Sequence, residues 1–137
     1  MPHELNDDDL IRNFEAGTLD PHTFDHKTHL RVGWLYVTSR PLAEAVRCFS
    51  GALKSWVKAI GVDGKYHETI TWFFMLIISE RQAVQQADSF ENFIRQNTDL
   101  LPKNPSILSH YYKPETLASN HARKHYVLPD KLESRVA

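Results

Sequence analysis

Apolar side chains recur along this chain with the three-to-four-residue spacing of amphipathic helices. The clearest stripe lies within residues 41–60 and consists of Leu42, Val46, Phe49, Leu53, Trp56, Val57 and Ile60. The segment 66–86 differs, because its middle, residues 70–78, is apolar on nearly every side. Such a pattern is typical of a helix that several neighbours cover, and it predicts a central helix. Convincing strand alternation is missing, and only five glycines are available for hairpin turns.

Capping residues, glycines and prolines set the boundaries of the predicted helices. The predicted helices cover about residues 7–16, 25–39, 41–60, 66–86, 89–98 and 114–125. Residues from about 130 to 137 are polar, and we expect them to form a loose tail. The sequence therefore predicts one all-α domain over residues 1–137, a single-domain bundle of about six helices with a central apolar helix near 66–86.

Composition narrows the class of protein without naming a function. The 42% of hydrophobic and 24% of charged residues are ordinary globular values, and the formal net charge is −1. This charge disfavours a nucleic-acid partner, and no apolar run is long enough to cross a membrane. The acidic N-terminal segment is unlike a signal peptide, and Cys48 is the single cysteine, so we expect a cytoplasmic protein without disulfides. Its oligomeric state stays open.

Two of the eight histidines fall three residues apart at the start of the second predicted helix. His26 shares an apolar stripe with Gly33, and His29 lies at the edge of that stripe. Imidazoles at this spacing are neighbours that can share one metal ion. Gly33, on the same face, either lets another helix approach closely or leaves room for a ligand.

His67 occupies the first turn of the predicted central helix, on a stripe that continues through Phe74 and Ile78. We expect Phe74 and Ile78 to be core residues. If the second, third and fourth helices alternate in direction, the second and fourth are parallel and their first turns meet at one end. The sequence thus predicts a divalent metal site of His26, His29 and His67, with zinc, iron, nickel or manganese as the ion.

Three segments together resemble a family of short, helical, uncharacterised bacterial proteins that carry HxxHLR and YHETxT segments. They are HKTHLRV at residues 26–32, YHETIT at 66–71, and AR at 122–123 followed by VLPD at 127–130. The resemblance spans about residues 14–132 and implies no particular reaction. It implies that the matching positions are functional: His26, His29, His67, Glu68 and Arg123.

Three hypotheses about function follow. The first is a small metal-binding enzyme that acts on a small molecule, with Glu68 as a fourth ligand or a general base. The second is a non-catalytic interaction or regulatory module, whose partner surface is the Tyr111–Tyr112 region or the last helix. The third is a metal-free enzyme in which His67 and Glu68 form an acid/base pair and Arg123 holds an anionic substrate.

Overall fold

In a computed structural model, which describes residues 5–131, the chain forms a helical bundle. The α-helices of this part of the chain are α1 (Asp7–Ala16), α2 (His26–Ser39), α3 (Leu42–Ala59), α4 (Glu68–Gln85), α5 (Phe90–Gln96), α6 (Pro114–Leu117) and α7 (Asn120–Lys124). Short 3₁₀ turns cover Asp63–Lys65, Thr98–Leu100 and Ile107–His110. No strand forms within residues 5–131, so the predicted all-α fold is confirmed.

Side-chain caps account for most of the helix starts. The side chains of Asn6, Asp25 and Ser89 each accept a hydrogen bond from the backbone N–H three residues further on. The α4 helix begins two residues later than predicted because His67 caps it. The His67 ring accepts the Ile70 N–H at Nδ1 over 3.2 Å, a role that histidine rarely plays and that the sequence did not indicate.

The last predicted helix is wrong as one continuous element. The structure divides residues 114–125 into α6 and α7, because the Ser119 hydroxyl accepts the Ala122 N–H and starts a new helix there. The predicted loose tail lies mostly outside the described residues, which end at residue 131. Its first residue, Asp130, is held by the Lys113 N–H at 3.0 Å and by the Thr116 hydroxyl.

The α4 helix lies at the centre of the bundle, as predicted, and packs against α2, α3 and α7. It also joins two hydrophobic clusters. Met75 belongs to the cluster formed mainly by α1, α2 and α3, whereas Phe73 and Ile77 belong to the cluster that includes α5 and the segment after it. None of the helices in the described part of the chain has the length and apolarity needed to cross a membrane.

The contacts between α2 and α4 advance in the same direction along both helices. The His26 ring packs edge-on against Phe74, with the ring centroids 5.5 Å apart. Two turns later, Trp34 Nε1 donates a hydrogen bond to Gln82 Oε1 at 2.9 Å. The two helices are therefore parallel, and their first turns lie at the same end of the bundle.

Gly33 allows the close approach of α2 to α4. A Cβ atom added there would lie 3.2 Å from Met75 Sδ and 3.3 Å from Ile78 Cδ1. Ile78 is buried, as its position on the His67 stripe predicts. Phe74 is only half-buried, because one side of its ring faces a cavity rather than packed side chains.

Candidate functional site

A cavity of about 460 Å³ lies where α2, α3 and α4 meet. Its apolar lining comprises Pro21, Phe24, Leu30, Gly33, Phe49, Leu53, Trp56, Val57, Ile60, Val62, Ile70, Phe74, Met75 and Ile78. Its polar lining comprises His26, His29, Lys65, Tyr66, His67 and Thr71. Pro21 and Lys65 are exposed, so the cavity opens to solvent beside them. The structure thus brings the three predicted histidines to one cavity, as the parallel helices require.

Among the lining histidines, His29 is the one whose ring nitrogens have no hydrogen-bond partner within residues 5–131. Its ring stacks on Phe24, with the centroids 3.7 Å apart and the planes 12° apart. Since no buried side-chain nitrogen or oxygen of the described residues lacks a partner, the His29 nitrogens border accessible space. They are therefore available to a molecule in the cavity.

The pKa of His29 is lowered to about 4, chiefly because burial disfavours the charged ring and secondly because His26 lies nearby. The Lys103 ammonium acts in the same direction, whereas the Asp25 carboxylate opposes it. At neutral pH the ring is consequently uncharged. A neutral imidazole offers one N–H donor and one lone pair to a ligand.

One of the two ring nitrogens of His26 is hydrogen-bonded within the protein. Its Nε2 atom lies 2.8 Å from the Leu100 carbonyl oxygen. Because a carbonyl only accepts, Nε2 carries the proton, and in the neutral ring Nδ1 keeps a lone pair. His26 can therefore accept one hydrogen bond or bind one metal ion without losing its contact with Leu100.

Both ring nitrogens of His67 are hydrogen-bonded within the protein. Its Nδ1 atom accepts the Ile70 N–H, and its Nε2 atom donates to the Leu117 carbonyl at 2.8 Å. To bind a metal ion, the ring would have to give up one of these hydrogen bonds. Moreover, His26 packs level with Phe74, which follows His67 by almost two turns, or about 10 Å along the helix axis.

Within the described residues, no group of three or more His, Cys, Asp or Glu side chains is arranged to hold a metal ion. The offset between His26 and His67 along the bundle gives the physical reason. His26 and His29 are still neighbours on one helix and line the same cavity. Metal binding therefore stays a prediction, now resting on two histidines rather than three.

Glu68 and Arg123 lie apart from the histidines, around a smaller surface pocket of about 360 Å³. The Tyr66 hydroxyl donates to Glu68 Oε1 at 2.5 Å, and the same oxygen lies 3.8 Å from Lys54 Nζ. The Arg123 guanidinium donates to the Gly64 carbonyl oxygen. Tyr66 lines both the surface pocket and the main cavity, so it separates Glu68 from the histidines.

The Tyr66 hydroxyl is held in its donor state. Burial raises its pKa, and the Glu68 carboxylate that accepts its hydrogen bond raises it further. Lys54 also lies over the Tyr66 ring, 5.2 Å from its centroid. These contacts fix the ring as a wall between the two pockets.

Sequence reasoning missed the contribution of α3 and of the loop after it. Phe49, Leu53 and Trp56 belong to the stripe that predicts core packing, yet they also line the cavity. Periodicity shows which side of a helix faces inward but not whether a neighbour fills that space. The one available signal was Gly33 on the histidine face, for which a ligand space remained an alternative.

Comparison of the chain with protein-family models, curated proteins and solved structures found no match.

Proposed function

We propose that this protein binds a small, largely apolar organic molecule in the cavity between α2, α3 and α4. His29 and His26 make its polar contacts, and the side chains of α3 and α4 cover its apolar body. The observation that carries the proposal is a neutral imidazole, His29, whose nitrogens have no partner within the described residues and which lines a largely apolar cavity. Ligand sites typically combine such a lining with a few placed polar groups.

The volume of the cavity suits a small organic molecule. Ligand cavities commonly measure about 300–1,000 Å³, and 460 Å³ falls within that range. It is also about three times the roughly 150 Å³ of an engineered protein cavity that binds benzene. A molecule with one aromatic ring and a short chain is therefore a reasonable probe.

The geometry supports binding better than catalysis. A general base works best when its pKa is near the working pH. The pKa of His29 is held at about 4, so this ring is a weak base at neutral pH. His67 has both nitrogens in hydrogen bonds, and Glu68 lies beyond Tyr66. Acid/base chemistry by His67 and Glu68 in the cavity is thus the less favoured hypothesis.

Two matched substitutions test the proposal. Val62 lines the cavity, whereas Val84 is 81% exposed on the last part of α4. Val62→Trp places an indole where the ligand would lie, and Val84→Trp adds the same group at the surface. In calorimetric titrations with phenylbutanol, we expect saturable binding to the wild type and to Val84→Trp, weakened at least about tenfold by Val62→Trp.

Absence of saturable binding to the folded wild-type protein would overturn the proposal. So would equal affinity of the two tryptophan variants, because the ligand would then lie elsewhere. Circular dichroism of each variant shows that it is folded before its titration is interpreted.

Metal binding by His26 and His29 is the second candidate, favoured by their i,i+3 spacing and by the neutral state of His29. The exposed rings of His121 and His125, 5.1 Å apart, form an alternative pair, so His121→Gln serves as the background. In tag-free protein we expect zinc, ferrous iron, nickel or manganese to raise the melting temperature. At a free metal concentration a hundredfold above Kd, binding adds about 2.7 kcal/mol to the free energy of unfolding.

His29→Gln in the same background should abolish that increase. If elemental analysis finds no metal and none of the four ions changes the melting temperature, the metal hypothesis fails while ligand binding stands on its own test.

A further inference from the structure

We infer that the preferred ligand is an organic acid, with an apolar body inside the cavity and one carboxylate near its rim. The inference rests on the proposed function, since it names the class of ligand for the same cavity. The charges around the lining and the helix termini that meet there both favour a negatively charged group.

The cavity lining formed by the described residues contains no Asp or Glu. Lys65 carries the one permanent charge in that lining, and it is exposed at the rim. A ligand carboxylate beside Lys65 would keep much of its hydration while its apolar body is buried. A ligand ammonium in the same place would meet a like charge.

The helix termini favour the same sign of charge. The first turns of α2, with 14 residues, and α4, with 18 residues, both line the cavity. Backbone N–H groups make the N-terminus of a helix favourable for anions. A separate observation that points to a ligand is the His29 ring, whose nitrogens have no hydrogen-bond partner in the described chain and which offers an N–H donor to the cavity.

The acidic groups next to these termini already have partners. Asp25 accepts the Thr28 N–H at 2.9 Å and caps α2. Glu68 accepts the Tyr66 hydroxyl and lies outside the lining, near Lys54. These two carboxylates reduce the positive field, but neither offers an acceptor inside the cavity for a cationic ligand.

Three compounds of one shape and different charge test the inference: phenylbutyrate, phenylbutanol and phenylbutylamine. We expect phenylbutyrate to bind the wild type at least about fivefold more tightly than phenylbutylamine, with phenylbutanol between them. Lys65→Gln should weaken phenylbutyrate about two- to fivefold, the size of an exposed ion pair, and leave phenylbutanol unchanged. Lys58→Gln, at an exposed lysine outside the lining, is the matched control and should change neither.

The outcomes separate the two proposals. Equal affinity for all three compounds, or tighter binding of the amine, would overturn the inference and leave the proposed function standing. The same holds if Lys65→Gln and Lys58→Gln have equal effects. If none of the three compounds binds the folded wild type, the proposed function fails, and the inference fails with it.

Discussion

The chemistry of His29 depends on its surroundings. A histidine in the unfolded chain has a pKa of about 6.5, whereas in the folded protein the pKa of His29 is about 4. Burial is the main cause of this decrease, His26 and Lys103 add to it, and Asp25 opposes it. Below about pH 6.5 the unfolded chain therefore binds a proton that the folded chain does not.

We expect the free energy of unfolding to fall as the pH decreases from about 6.5 to about 4, by up to about 3 kcal/mol from this group. Below about pH 4, His29 is protonated in both states and contributes no further change. Urea unfolding at a series of pH values measures this effect. His29→Gln should remove it, whereas His121→Gln, at an exposed histidine, should not. Parallel pH profiles for the wild type and His29→Gln would contradict the account.

The sequence predicted that three histidines share one end of the bundle, but not what each ring nitrogen does. Helical spacing makes His26 and His29 neighbours, and the alternating direction of successive helices makes α2 and α4 parallel. Both of these features can be predicted from the sequence. The carbonyl oxygens that accept hydrogen bonds from the rings of His26 and His67 belong to Leu100 and Leu117. Both lie far along the chain in short elements close to a proline, where hydrophobic periodicity does not predict the position of a carbonyl group. The metal prediction rested on nitrogens whose availability the sequence could not show.

At the scale of elements, Thr69 fastens the C-terminal segment to α4. It is fully buried, and its hydroxyl lies 2.7 Å from the Ala122 carbonyl oxygen and 2.9 Å from that of His125. The same oxygen accepts the Val127 N–H at 3.1 Å. One threonine side chain therefore contacts backbone groups within α7 and in the segment that follows it.

Thr69→Val keeps the shape of this side chain and removes its hydrogen bonds. We expect a loss of about 1–3 kcal/mol in the free energy of unfolding, because buried backbone groups are left without partners. Thr38→Val is the matched control, since the Thr38 hydroxyl is exposed and bonds within its own helix. Denaturant titration compares the two; a loss as small as that of Thr38→Val would show that Thr69 does not anchor the segment.

The helices were predicted best where a side chain or a glycine marks the end. Predicted and observed α1 agree, because Asn6 caps its start and Gly17 takes the left-handed conformation at its end, with φ of 76°. The start of α4 was misplaced because a histidine ring caps it. The sequence pattern does not predict the division between α6 and α7, because Ser119 falls inside the predicted helix 114–125 but caps α7 in the structure.

For the whole molecule, the central finding is a bundle in which two packed clusters flank an open cavity. The α2 and α4 helices contribute residues to both clusters, so we expect residues 5–131 to unfold as one unit. The cavity lies where α2 and α4 begin, against the face of α3. Long helices support a binding site at this position on three sides, and the segments before α2 and after α3 complete its lining.

The most direct test of the account is a nuclear Overhauser experiment on the wild-type protein saturated with phenylbutyrate. We expect contacts from the phenyl ring to Phe49 and Trp56 on α3 and to the His29 ring on α2, which line the cavity together. Val62→Trp should remove these contacts, and Val84→Trp should keep them. Contacts to residues outside the cavity, or no contacts at saturating ligand, would contradict the proposal that this cavity is the binding site.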